Sequence, residues 1–209
     1  MSELFSENPI LGCLAIIILM ISIYSRRGIL IIISLIILVS LLLFYRVPTN
    51  RNKDFVTDVV YGPCYGTVSH IIKTDKTTYI TIFLSIFDIH SQYYPISGTL
   101  IDRQYDMSGK FALAFDFDKA SENEKAIHTI MTGRGDVITI TQIAGLLARR
   151  ITYDNKQLGD RVQVGDRMGM IHFGSRIDIE LPQNYKILVK EGDYINGSKT
   201  VIAIRSDID

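Results

Sequence analysis

Chemistry in this chain of 209 residues can begin at a serine that follows a glycine, Gly174-Ser175, in the middle of the run Gly165-Asp-Arg-Met-Gly-Met-Ile-His-Phe-Gly-Ser-Arg-Ile-Asp-Ile-Glu-Leu-Pro182. A serine hydroxyl becomes a nucleophile once a base takes its proton, and its own upstream carbonyl lies within its reach. Glycine in front removes side-chain obstruction and admits backbone angles closed to other residues. The same dipeptide is also a common turn, because Gly tolerates positive φ and Ser bonds to nearby backbone. The chain carries its own comparison in Gly197-Ser198, which sits in a polar, turn-like setting. Context has to separate the two.

A base could come from a histidine, although a histidine after an apolar strand, as His90 is, is more often structural. His172 lies three residues before Ser175, and His90 ends the segment Phe83-Leu-Ser-Ile-Phe-Asp-Ile-His90. Asp88, two residues before His90, would share its face if that segment were extended. The remaining histidines, His70 and His128, and the cysteines Cys13 and Cys64 form neither a metal-ligand spacing nor a disulfide framework. Asp116, Asp118, Glu122 and Glu124 read as a solvated acidic loop. Gly133-Arg-Gly135 is too short for a dinucleotide fingerprint and reads as a hairpin turn. A formal net charge of zero argues against a nucleic-acid partner.

The elements that must position these residues fall into two regions. Residues 1–46 read as a membrane anchor, with apolar runs over about 9–24 and 29–45 separated by Ser25-Arg-Arg-Gly28. A helix of that length spans about 25 Å, short of a roughly 30 Å hydrocarbon core. Tyr24, Phe44, Tyr45 and Arg46 are expected at the interface to make up the difference. A single helix would place both arginines near mid-membrane at roughly 2.5–3.5 kcal/mol each, so a transmembrane helical hairpin is expected. Asn8 as N-cap and Pro9 at the first helical position fit its start. The acidic start, with Glu3 and Glu7, is unlike a cleaved signal peptide.

Residues 47–209 suffice for one mainly β domain, a compact barrel or sandwich with a minor helix. Strands are expected over Thr77–Leu84, Gly98–Tyr105, Lys110–Phe117 and Asp136–Ile143. Arg176–Leu181 alternates strictly, placing Ile177, Ile179 and Leu181 on one buried face. The one helix is expected within Lys119–Met131.

Several segments also share a pattern, in order. They are Phe44-Tyr-Arg-Val-Pro48, Tyr61-Gly-Pro-Cys-Tyr-Gly66, Phe83 to His90 with Pro95-Ile-Ser-Gly98, and Ser121-Glu-Asn-Glu124. Further along come Gln142-Ile-Ala-Gly-Leu-Leu-Ala-Arg-Arg-Ile151, Gly169-Met-Ile-His-Phe-Gly-Ser-Arg-Ile-Asp178 and Val189-Lys-Glu-Gly-Asp-Tyr-Ile-Asn-Gly197. From residue 44 onward this order resembles the phosphatidylserine decarboxylase proenzymes, especially the short, archaeal-type members.

The resemblance implies an enzyme that cuts itself between 174 and 175. Ser175 attacks the Gly174 carbonyl to give an ester, and elimination leaves dehydroalanine. Hydrolysis then releases ammonia and leaves a covalent pyruvoyl cofactor at position 175. The implied fragments, 1–174 and 175–209, remain partners. The implied reaction is decarboxylation of membrane phosphatidylserine to phosphatidylethanolamine through a Schiff base to that ketone, which acts as electron sink. His90 matches the family's catalytic-loop histidine, and Asp88 and His172 are supporting positions. Tyr65 stands where the family's Pro-x-Asp-Gly has its aspartate, implied to help the histidine deprotonate the serine. A phenol with a pKa near 10 replaces a carboxylate poorly, which leaves open which base activates Ser175.

Two other readings remain at this stage. One is a non-maturing relative that acts as a membrane-tethered binding or regulatory protein. The other is a tethered β module of adaptor type. Oligomeric state is open, a homo-oligomer included.

Overall fold

The computed structural model describes residues 2–48, 54–107, 123–145, 151–172 and 175–207. The chain divides into two compact units, 1–49 and 50–209.

The first unit is helical: α1 (Leu4–Glu7), α2 (Pro9–Tyr24) and α3 (Gly28–Phe44). Asn8 caps α2 as expected, its Oδ1 accepting from the Leu11 amide at 3.2 Å, with Pro9 in the first turn. Arg26 turns the chain with φ 52°. The helices bury small residues, Gly12, Ala15 and Ser22 on α2 and Ser34 on α3, and turn Ile10, Ile21, Ile32 and Ile36 outward. The buried hydroxyls return to their own helices, Ser22 to the Ile18 carbonyl and Ser34 to the Leu30 carbonyl.

The expected transmembrane hairpin is corrected here. The two helices lie where the apolar runs do, but they have 16 and 17 residues, about 24 and 26 Å at 1.5 Å per residue. No described helix is long and apolar enough to cross a membrane. Phe44 and Tyr45, expected at an interface, are buried and meet edge to face at 5.2 Å. The Glu3 amide donates to the Tyr45 carbonyl, tying the two ends of this unit together.

The second unit is β. In chain order its strands are β1 (Val59–Tyr61), β2 (Tyr65–Lys73), β3 (Thr77–Leu84), β4 (Ser91–Tyr93), β5 (Gly98–Asp106), β6 (Lys125–Met131) and β7 (Val137–Ala144). They continue with β8 (Ile151–Tyr153), β9 (Arg161–Val162), β10 (Arg167–Ile171), β11 (Ser175–Pro182), β12 (Tyr185–Ile187), β13 (Tyr194–Asn196) and β14 (Val201–Arg205). Eight form one sheet in the order β13-β2-β3-β11-β7-β6-β5-β9, and two three-stranded sheets run β1-β14-β12 and β4-β10-β8. The large sheet curls into a half-barrel and stays open, with β13 and β9 as its edges.

Alternation explains the core. Ile80, Ile82 and Leu84 of β3, Ile138 and Ile140 of β7, and Ile177, Ile179 and Leu181 of β11 are fully buried, one side chain in two on each strand. The helix expected within Lys119–Met131 is replaced, over its described part, by β6. Ala126, His128 and Ile130 point inward there, and pairing with β5 and β7 decides the conformation. The strand expected at Lys110–Phe117 lies outside the described residues. Gly133-Arg-Gly135 is the hairpin turn between β6 and β7, with Gly135 at φ 85°.

Candidate active site

Ser175 opens the central strand of the large sheet. On β11 it pairs with Leu84 of β3 on one side and Ala144 of β7 on the other. Alternation places it on the same face as Ile177, Ile179 and Leu181, so its side chain is turned into the core and fully buried. Its Oγ has no hydrogen-bond partner among the described residues. A buried hydroxyl in that state costs about 1–3 kcal/mol, and such a group calls for an explanation. Gly174, the other half of the expected cleavage site, lies outside the described residues.

Two chain segments bring the histidines to this end of β11. One leads from Leu84, opposite Ser175, through His90 into β4; the other leads from β10 through His172 to Ser175. β4 and β10 pair with each other, Ser91 against Met170. β4 and β10 thus lie side by side in a small sheet, with His90 just before the one and His172 just after the other, and both histidines are buried.

The His90 ring is oriented by its own turn. Its Nδ1 is 2.9 Å from the Asp88 carbonyl oxygen. That oxygen can only accept, so Nδ1 carries the hydrogen and Nε2 holds the basic lone pair. The Asp88 carboxylate serves the turn: Oδ2 accepts from the Ser85 amide and Oδ1 from the Tyr194 hydroxyl, both at 2.8 Å. It orients the loop.

Tyr65 opens β2, opposite Asn196. Its ring packs onto Gly197, where a Cβ would lie 2.4 Å from it, and Gly197 takes φ 50°. Gly197-Ser198 is thus a turn, as read, and a buried one. The neighbour of Tyr65, Cys64, is buried, and its thiol is pushed up first by burial and then by the negative charge of Asp88.

Sequence reasoning overlooked a buried polar chain beside these residues. The Arg103 Nε donates to His128 Nδ1 at 3.2 Å, and His128 Nε2 lies 2.8 Å from Gln142 Oε1. Gln142 Nε2 donates to Gln92 Oε1 at 2.8 Å, and Gln92 Nε2 donates to the His90 carbonyl. Burial lowers the His128 pKa to about 4; the Gln142 bond opposes this and the Arg103 charge adds to it. A signal was present: His128 and Gln142 interrupt apolar alternations on β6 and β7.

The acidic loop is corrected in part. Glu124 is buried and accepts from the Tyr105 hydroxyl, whose pKa is raised to about 12 by burial and by that bond. Asp116, Asp118 and Glu122 lie outside the described residues. Asn123 and Glu124 flank the register partner of Ser175: Asn123 Nδ2 donates to the Ala144 carbonyl at 2.7 Å, and the Ala144 amide donates to Glu124. On the opposite face of β11, Arg176 grips Asp178 with two bonds of 2.9 and 2.7 Å. A cleft of about 680 Å³ near Asp58, Gly98, Met131 and Arg134 is lined by none of the candidate residues and lies at the far end of the sheet. Among the described residues no group of His, Cys, Asp and Glu is arranged to hold a metal.

Fold and site together define an antiparallel β protein built around a buried serine at the head of its central strand, with histidines delivered by the adjoining chain segments. Comparison with known proteins gives the family: the profile for phosphatidylserine decarboxylase matches residues 53–203. The phosphatidylserine decarboxylase proenzyme of the Brugia malayi Wolbachia is 38% identical over 174 residues, 77% of this chain and 73% of its own. That of Saccharopolyspora erythraea is 38% identical over 77% of this chain and 71% of its own. The Polynucleobacter asymbioticus proenzyme is 34% identical over 80% and 79%. The chain belongs to the phosphatidylserine decarboxylase family.

Proposed function

We propose that this chain is a proenzyme that cleaves itself between Gly174 and Ser175 and then decarboxylates phosphatidylserine to phosphatidylethanolamine and carbon dioxide. The observation that carries the reading is the buried Ser175 Oγ without a hydrogen-bond partner among the described residues. It heads a strand whose other buried residues hold it in place. A pyruvoyl group derived from Ser175 fits this position, since the side chain is fully buried and its hydroxyl has no hydrogen bond to lose among the described residues.

In this reading His90 takes the Ser175 proton through Nε2, the ring nitrogen left basic by the Asp88 carbonyl. The hydroxyl oxygen attacks the Gly174 carbonyl carbon, and the peptide C–N bond breaks to leave an ester and a free amine on residue 175. Loss of the α proton and of the ester oxygen frees the Gly174 carboxylate, and water replaces nitrogen as ammonia. A pyruvoyl group held at residue 175 would supply an electron sink for the bond to the substrate carboxylate. His90 then supplies a proton to the substrate carbon, a role worth typically 10²–10⁴-fold. Asp88 keeps the turn in register, and His172 stands on the second segment as an alternative acid or base.

Membrane association completes the proposal. The outward apolar faces of α2 and α3 suit burial in the apolar layer of a lipid surface, where the head group is presented. Ile86 and Phe87, on the turn leading to His90, are exposed as well.

Tyr65 in place of the family's aspartate favours a second reading, a relative that does not mature and acts by binding. Intact mass separates the two. Fragments ending at 174 and beginning at 175, the smaller one blocked at its amino terminus, are expected. A single uncut chain would overturn the first reading and leave the second.

A further inference from the structure

The buried chain of side chains beside the site has a direction, and its direction follows from one residue. A guanidinium can only donate. Arg103 uses all five of its N–H groups: Nε to His128 Nδ1, Nη1 to the Asp154 and Lys156 carbonyls, and Nη2 to the Tyr94 hydroxyl and Asp154 Oδ1. His128 Nδ1 is therefore an acceptor, and its hydrogen sits on Nε2. Nε2 then donates to Gln142 Oε1, which turns the Gln142 amide nitrogen toward Gln92 Oε1. Gln92 in turn presents its nitrogen to the His90 carbonyl. No amide in this chain can flip without setting oxygen against oxygen or nitrogen against nitrogen.

The chain also joins separate parts of the fold. Arg103, His128 and Gln142 stand on β5, β6 and β7 of the large sheet, and Gln92 on β4 of a small one. Gln142 lies two residues before Ala144, the partner of Ser175. β10 comes close enough for this because residue 169 is glycine: a Cβ there would lie 2.2 Å from the Thr152 carbonyl oxygen and 3.1 Å from Gln142 Nε2. Gln92, Gln142 and His128 are completely buried, so water offers these groups no alternative partner.

We propose that Gln92 and Gln142 are positioning residues for the self-cleavage: a one-way relay of donors, fixed at Arg103, holds the His90 peptide by its carbonyl and so sets the ring that serves Ser175. This rests on the cleavage proposed above. The isosteric variants Gln92→Glu and Gln142→Glu keep size and burial but, when ionised, cannot donate. Carboxylate 92 would oppose the His90 carbonyl, and carboxylate 142 would oppose Gln92 Oε1. A protonated carboxyl has one donor and one acceptor and restores the direction.

The test measures cleavage rates of freshly synthesised full-length chains, wild type and variants, by mass across pH 5–8. Both Glu variants are expected to mature roughly 10–100-fold slower at pH 8. The variant-to-wild-type ratio should climb as pH falls, with Gln92→Leu slow throughout. His128, Arg103, Asp154, Tyr94 and His90 face the relay in every variant, so the ratio removes the part of their titration that the substitution leaves unchanged. Wild-type rates in both Glu variants, or a ratio that stays flat with pH as a purely structural loss would give, overturn the relay alone. A wild type that never cleaves overturns the relay together with the function proposed above.

Discussion

At Ser175 a hydroxyl is held without a hydrogen-bond partner among the described residues in a fully buried position, so changing it should affect chemistry far more than folding. Ser175→Ala is expected to give only the uncut chain, read by mass, with stability equal to or above that of the unprocessed wild type because an unbonded buried oxygen is lost. A cut product from this variant would remove Ser175 from its role. His90→Ala should lower both the cleavage rate and decarboxylation, by about 10²-fold or more; normal rates for both would refute the assignment. His128 gives a pH prediction of its own. Its folded pKa of about 4 lies below the unfolded value near 6.5. Between these values the unfolded chain binds more protons, so stability is lost as pH falls through that window. The loss should reach about 2 kcal/mol by pH 4.5. Urea midpoints at pH 7 and 4.5 check this, and in His128→Gln this part of the acid sensitivity should vanish.

At the scale of elements, close approach is as important as burial. A Cβ at residue 169 would meet the Thr152 carbonyl oxygen at 2.2 Å. Gly169→Ala is therefore expected to push β10 away from β8 and cost about 1–3 kcal/mol, visible as a lower thermal midpoint, with cleavage slowed because Gln142 loses its fit. An unchanged midpoint and rate would show that the strands yield without cost. The elements legible from sequence were those with one dominant signal. Thr77–Leu84 and the alternation of Arg176–Leu181 appear as β3 and most of β11, and the Asn8-Pro9 start of α2 is where capping chemistry places it. The helix expected within Lys119–Met131 gives way, over its described part, to β6, where a polar His128 breaks the apolar rhythm. The reason for that histidine, a bond to Gln142 on the next strand, is a tertiary fact. The same holds for Glu124, whose burial depends on Tyr105 across the sheet. At the proposed site, the motif points to Asp88, His90 and Ser175, while nothing local singles out Arg103 and Gln92, since neither has a local pattern.

On the scale of the whole molecule, the proposed cut falls where the fold can tolerate it. Residues 175–209 supply β11, β12, β13 and β14. β11 lies between β3 and β7 in the middle of the large sheet, β13 pairs with β2, and β14 pairs with β1 and with β12. A break before residue 175 removes no strand pairing among the described residues, because β11 begins at that residue. The smaller fragment also carries Ile177, Ile179, Leu181, Ile195 and Ile202, all fully buried, each worth about 1.5–3 kcal/mol to keep from water. It cannot leave without opening the core of the other fragment. The two pieces are therefore expected to co-elute on a sizing column in detergent without denaturant and to separate only in denaturant. The cleaved protein should unfold in one transition within a few degrees of Ser175→Ala. Release of the 175–209 fragment under native conditions would show that the covalent link, and not the packing of β11, holds the sheet together. Ile179→Ala, which takes a buried side chain from the centre of that packing at a cost of about 2–5 kcal/mol, should bring separation to lower denaturant while leaving the site of cleavage unchanged.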